Sequence, residues 1–196
     1  PQIITNHITL TFFVYKFKKR IQKHGANITD CLCVTCREQK EHNRLKRKVI
    51  RMKLGFIGTG NMASAIMGGI IKNNVIPAEE IIGADLFAPG RERAQKEYGI
   101  NVTADNKEVA QKAETIILSV KPQFYESVIA DIKDVVTDKQ IIITIAPGKT
   151  LAWLAEQFGK DVKIVRTMPN TPAMVGEGMT AVCPNEHLTE DEIAYV

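Results

Sequence analysis

Cysteine is scarce in this chain and badly placed for a structural role. Of the four in 196 residues, Cys31, Cys33 and Cys36 sit together, which leaves Cys183 alone after Met52. A lone thiol over that length argues against a disulfide scaffold and fits a reducing cytosol, so a cytoplasmic location is expected. No apolar run reaches the roughly 18 residues that a membrane-spanning helix requires. There is no P-loop, since Gly58–Ala63 lacks the Gly-Lys-Ser/Thr. His187 is the only histidine after Met52, so that part holds no Ser/His/Asp set for nucleophilic catalysis. Internal repeats and low-complexity tracts are also missing.

What is present divides in two. The chain is 44% apolar, enough for one substantial core. Residues 1–51 hold 12 Lys/Arg against 3 Asp/Glu, whereas residues 52–196 hold 14 against 19. The basic excess belongs to the first stretch alone and implies no nucleic-acid partner for the rest. All six methionines lie at Met52 or later, and the chain starts at Pro1. Residues 1–51 are therefore expected to be a non-native or disordered basic extension, translated from DNA upstream of the true start. Lys46-Arg47-Lys48 is compatible with purine-rich codons there. Thr9–Phe17 has strand character and Arg37–Arg51 is a charged run. Cys31, Cys33, Cys36 and His42 lack the paired C-x-x-C spacing of a zinc site, so no metal is expected. The order of charge and apolarity is reversed for a secretory signal, and no clear amphipathic helix supports a transit peptide.

The organising stretch is Lys53–Gly69. Leu54-Gly55-Phe56-Ile57 reads as a buried strand, Gly58-Thr59-Gly60 as a turn, and Asn61–Met67 as a helix. That context gives weight to a G-x-G-x-x-G/A match. Gly58 allows the tight turn, Gly60 lets a pyrophosphate approach the backbone, and Ala63 keeps helix close to strand. The helix N-terminus then faces the phosphates.

Ile81–Asp85 reads as the second strand. Its terminal acid stands where a dinucleotide fold holds the adenosine ribose, and helix capping is its plainer role. Arg91 and Arg93 follow, and either can meet a 2′-phosphate, so NAD and NADP both remain open. A polar helix over Arg91–Tyr98 ends at Gly99. Val102 is a brief strand, Asn106–Ala113 a helix, and Glu114–Val120 an apolar strand stopped by Lys121-Pro122. A strand end is where an open parallel sheet places its ligand, which draws attention to Lys121. Tyr125–Val136 reads as a helix, Gln140–Ile145 as a strand, Leu151–Phe158 as a helix capped from Thr150, and Val162–Thr167 as a strand. Met168-Pro169-Asn170-Thr171-Pro172 is a stiffened loop, expected to wall a site. Met179–Cys183 is a last strand, and Thr189 caps a helix from Glu190 that has barely begun at Val196.

The expected architecture is α/β: a Rossmann-like, doubly wound, mostly parallel sheet over residues 52–184, with 185–196 opening a linker. With no nucleophile set, the fitting chemistry is hydride transfer from a bound nicotinamide.

Five stretches, in this order and spacing, resemble the pyrroline-5-carboxylate reductase family. They are Gly55–Ala63, Asn106–Glu108, Val120–Pro122, Ile145–Gly148 and Arg166–Pro172. The resemblance covers Met52–Val196 and none of residues 1–51. It implies reduction of L-1-pyrroline-5-carboxylate to L-proline with NADPH or NADH, in proline biosynthesis. It further implies that Ile57, Gly58, Thr59, Gly60, Asn61 and Met62 hold the pyrophosphate, and that Asp85 and Leu86 face the adenosine ribose. Asn106 helps bind the cofactor. Ser119, Val120, Lys121 and Pro122 border the nicotinamide ribose, as do Ile145, Ala146 and Pro147. Many relatives have alanine in place of Pro147. The family continues into an all-helical domain that forms the dimer and supplies much of the imine pocket, with a serine/glycine-rich motif that does not occur here. The resemblance thus implies a chain with its cofactor parts intact, an incomplete substrate pocket, no assignable catalytic residue and a monomeric state, whereas the full-length family forms homo-oligomers. The competing readings are another nicotinamide enzyme on the same domain, such as a 3-hydroxyacid or prephenate dehydrogenase or a deazaflavin-linked NADP oxidoreductase, and a catalytically dead nucleotide-binding fragment. A basic nucleic-acid binder would rest on residues 1–51 alone. No nucleic-acid or membrane partner is expected.

Overall fold

The computed structural model describes residues 52–196. The expectations for Thr9–Phe17, the cysteine cluster with His42, Lys46–Lys48 and the charged run to Arg51 lie outside the described residues.

Seven strands form one sheet in the order β3-β2-β1-β4-β5-β6-β7. They are β1 (Met52–Ile57), β2 (Ile81–Ala84), β3 (Asn101–Thr103), β4 (Ala113–Leu118), β5 (Ile141–Thr144), β6 (Lys163–Pro169) and β7 (Thr180–Pro184). Every neighbouring pair is parallel except β6 with β7. The helices are α1 (Asn61–Lys72), α2 (Ala88–Tyr98), α3 (Asn106–Lys112), α4 (Tyr125–Ile132), α5 (Leu151–Phe158) and α6 (Glu190–Tyr195). The fold is thus Rossmann-like, a mostly parallel sheet with helices on both faces.

Parallel strands covered on both faces must be apolar at consecutive positions, not alternate ones. The run Thr115-Ile116-Ile117-Leu118 shows why. Ile116 and Leu118 pack with Val109 of α3, Ile129 of α4 and Leu154 of α5. Ile117, pointing the other way, packs with Met67 of α1 and Ala94 of α2. Ile142 and its neighbours Ile141 and Ile143 divide in the same manner. At Gly55 the α3 side is so close that an added Cβ would lie 2.5 Å from Val109 Cγ1 and 2.7 Å from the Ala113 methyl.

Several boundaries differ from expectation for identifiable reasons. α4 stops at Ile132, where Val135 and Val136 turn back with N–H bonds to the Ile132 carbonyl. Adjacent β-branched residues favour that exit, and Val136 still reaches the core. β4 ends at Leu118, because Ser119 turns to bond the backbone of β1. β6 extends to Pro169, because the antiparallel partner β7 continues the ladder to Pro169↔Thr180. α2 starts three residues early, at Ala88, with Pro89 in its first turn, where a missing N–H costs nothing. α6 carries the expected cap as a full capping box between Thr189 and Glu192. Lys163 of β6 pairs with Glu192 at 2.5 Å, fastening α6 to the sheet.

Candidate dinucleotide site

The strand order reverses between β1 and β4, since β2 and β3 lie on one side and β5 to β7 on the other. Such a switch point leaves a crevice at the carboxyl ends of the strands, and open α/β sheets bind ligands there. The crevice is built from the turn between β1 and α1. Gly58 has φ +98, and its N–H donates to Ala84 O at 2.7 Å. An added Cβ would lie 2.9 Å from Ser119 C, Ser119 O and Val120 N. Only glycine fits this contact between the ends of β1 and β4. Ser119 closes it from the other side, its Oγ donating to Gly58 O at 2.7 Å and Ile57 O at 3.1 Å.

Gly60 is a different case. Its φ of −70 and ψ of −174 are extended backbone open to any residue. Nothing lies within 4 Å of where its Cβ would be. Neither conformation nor protein packing therefore requires glycine at this position. What an added methyl would occupy is the space before the N-terminus of α1, a helix of 12 residues with no side-chain cap and no acid in its first turn. Unsatisfied N–H groups, the positive dipole end and room for close approach together make an anion site. A pyrophosphate fits them. Asn61 and Met62 form the first turn of this helix.

Thr59 between the glycines is buried, yet its polar atoms are used. Its N–H and Oγ1 both donate to Asp85 Oδ2, at 2.8 and 2.9 Å. Asp85 stands just past β2, and its Oδ1 accepts from Phe87 N at 2.9 Å. The acid therefore ties the turn to the end of β2, while Phe87, the N-cap of α2, gives no side-chain cap. Leu86 and Phe87 beside it are largely exposed.

The row continues along the edge. Ile145 N donates to Leu118 O at 3.5 Å, and Thr167 Oγ1 donates to Thr144 O at 3.0 Å. These contacts join the ends of β4, β5 and β6 and bring Ser119–Pro122, Ile145–Pro147 and Met168 onto the edge that holds Ile57–Gly60. Ala146 is buried, whereas Pro147, Lys121 and Met168 are exposed. Pro169-Asn170 leads into a 3₁₀ turn over Thr171–Val175. Asn170 Oδ1 accepts from Met179 N at 2.9 Å, which braces the loop against the start of β7. Asn106 lies three residues past the carboxyl end of β3. It opens α3, and its Nδ2 donates to Asp131 Oδ2 of α4 at 3.3 Å.

Sequence reasoning gave no role to Tyr125 and Thr144, which support the edge from beneath. The Tyr125 hydroxyl donates to Leu118 O at 2.5 Å and accepts from Thr144 Oγ1 at 2.9 Å. Burial pushes this phenol up to about 12, so it stays a donor. No local motif marks a helix tyrosine for this, because its partners lie on the strands β4 and β5. Other shifted groups flank the sheet, and Glu108 among them meets Thr103 at the end of β3. Lys53 at the start of β1 is raised by Glu80, and Glu108 on α3 is lowered by Lys112 and Thr103. Among the described residues, no His/Cys/Asp/Glu group could hold a metal ion and no helix is long and apolar enough to cross a membrane. The arrangement can bind and orient a ligand; among the described residues no pair of shifted acids and bases converges on it.

Comparison with known proteins gives the same reading. The family model described as "NADP oxidoreductase coenzyme F420-dependent" matches residues 53–148. The pyrroline-5-carboxylate reductase of Escherichia coli is 39% identical over 148 residues, covering 74% of this chain and 54% of that protein. The solved pyrroline-5-carboxylate reductase of Coxiella burnetii superposes with a TM-score of 0.68 at 33% identity, over 72% of this chain and 52% of that one. The Plasmodium falciparum pyrroline carboxylate reductase, solved with NADP bound, gives 0.66 at 33% identity, over 75% and 53%. The chain spans about half the length of the curated relatives it matches.

Proposed function

We propose, for a chain that belongs to the pyrroline-5-carboxylate reductase family, that it supplies the cofactor-binding part of an enzyme reducing L-1-pyrroline-5-carboxylate to L-proline with NADH or NADPH. The observation that carries this reading is Gly60: a glycine that neither its φ nor its neighbours require, set before an uncapped helix at the switch point of a parallel sheet. Bound reduced nicotinamide supplies the hydride that such a reduction needs.

The chain's own residues then have these roles. The backbone of Ile57–Met62 receives the pyrophosphate, and Asp85 and Leu86 the adenosine ribose. Ser119–Pro122 and Ile145–Pro147 border the nicotinamide ribose, and Asn106 assists from the start of α3. Met168–Pro172 faces the imine, stiffened by two prolines and the Asn170–Met179 bond. We assign residues 52–184 to the cofactor domain and 185–196 to the segment leading out of it. The setting is cytoplasmic and the partner a small-molecule substrate.

The experiment is calorimetric titration of the full chain with NADH and NADPH, followed by addition of the imine while nicotinamide absorbance and proline are followed. Cofactor binding supports the site, and oxidation with proline formed supports the reaction. Failure of both cofactors to bind refutes the reading.

A further inference from the structure

We propose that this site takes NADH in preference to NADPH, with Asp85 as the specificity-determining residue. The proposal rests on the dinucleotide reading above and goes beyond it.

A carboxylate only accepts hydrogen bonds, at roughly four lone-pair positions on its two oxygens. In Asp85, Oδ2 accepts two, from Thr59 N and Thr59 Oγ1, and Oδ1 accepts one, from Phe87 N. That leaves one position, on Oδ1. A ribose hydroxyl is a donor and fills it. A 2′-phosphate brings more negative charge beside the same carboxylate and no matching donor. Three hydrogen bonds hold the side chain in place, so it cannot readily swing aside to admit a phosphate.

The nearby arginines are the residues that would argue for NADPH, since a guanidinium is the usual partner of a 2′-phosphate. Arg91 is turned to the backbone just past β2, and Arg93 to the glycine turn and α1. Arg91 Nη1 donates to the Asp85 carbonyl at 2.5 Å. Arg93 Nη2 donates to Thr59 O at 3.0 Å and Ser64 Oγ at 3.4 Å. They brace the backbone around the acid, and neither contact neutralises its carboxylate. Leu86 is 83% and Phe87 67% exposed, an apolar surface next to the acid, as a nucleoside base needs. The ligand chemistry this corner selects is an adenosine whose 2′-hydroxyl is unmodified.

The test compares binding, independent of turnover. The full chain is titrated calorimetrically with NADH and NADPH, and in parallel with adenosine 5′-monophosphate and adenosine 2′,5′-bisphosphate. The expected result is NADH bound at least about tenfold more tightly than NADPH, because like charges brought together at a binding site are strongly disfavoured. The two adenosine nucleotides should rank in the same order. In Asp85→Asn the side-chain oxygen toward Thr59 is kept and the charge removed, so the NADH/NADPH ratio should fall by a similar factor. Should that variant not fold, the wild-type nucleotide pair decides alone. NADPH bound as tightly as NADH, or more tightly, overturns the preference and leaves the dinucleotide reading standing. Binding of neither cofactor overturns that reading as well.

Discussion

Replacing Gly60 with alanine separates what the fold needs from what the ligand needs. On the protein side, the new methyl meets nothing within 4 Å, and the backbone at φ −70 and ψ −174 accepts it. Two small effects oppose each other. Alanine lowers the entropy of the unfolded chain, which stabilises by about 0.4–1 kcal/mol. It is a poorer N-cap than glycine, which costs about 1 kcal/mol. The net change should stay within about 1 kcal/mol, so the melting midpoint should move by no more than about 4 °C for a domain of this size. On the ligand side, the methyl stands in open space at the N-cap of α1, beside the first-turn N–H groups proposed to receive a pyrophosphate. A tenfold loss of cofactor affinity, about 1.4 kcal/mol, is the least expected. The assay is calorimetric titration of Gly60→Ala beside its thermal melt. Gly58→Ala is the contrast, because φ +98 and 2.9 Å contacts with Ser119 and Val120 put its strain in the protein itself. It should lose about 1–3 kcal/mol of stability. A folded Gly60→Ala protein with unchanged cofactor affinity would refute the argument that this backbone carries the phosphates.

Gly55→Ala should cost about 1–3 kcal/mol in urea unfolding, because its methyl must push Val109 and Ala113 away from β1. Tyr125→Phe leaves the Thr144 hydroxyl and the Leu118 carbonyl short of a buried partner and should cost about 1–3 kcal/mol by the same measurement. The wild-type tyrosine has a folded-state pKa raised above 10, to about 12. Its stabilisation is therefore fully present below pH 10 and lost as pH rises through 12. Glu108 behaves in the opposite sense. Lys112 at 2.6 Å and the Thr103 hydroxyl at 2.5 Å hold its carboxyl below its ordinary 4.5. Its contribution is present above pH 4.5 and lost as pH falls through the lower folded value. Both carboxyl and ammonium are more than a third exposed, so the urea-midpoint advantage of wild type over Glu108→Gln should correspond to only about 0.3–0.5 kcal/mol at pH 7 and vanish in acid.

The chain's elements were legible wherever a single local pattern decided them. Leu54–Ile57, the glycine turn and the first helix follow from apolar runs and from the spacing of Gly58, Gly60 and Ala63. Thr150 and Thr189 announced their helices because a cap is a contact within one turn. The family resemblance rested on similar local stretches, and it placed the expected site residues at strand ends. Boundaries set by distant partners were not legible. β4 stops at Leu118 because Ser119 bonds β1, and β6 reaches Pro169 because β7 pairs with it. Both are decided by residues far along the chain.

The sequence by itself determined a buried parallel sheet, since only strands covered on both faces can be apolar at every position. It also determined a glycine turn between the first strand and the first helix, because glycine spacing is a property of the backbone. Tertiary structure alone decided which glycine serves the protein and which stands open to a ligand, for that depends on Ser119 and Val120 lying against Gly58 and on nothing lying against Gly60. It alone showed Asp85 holding the turn through Thr59, 26 residues away, and Tyr125 bracing the strand ends from beneath. A hydrogen bond forms between neighbours in space, and neighbours in space are a product of folding.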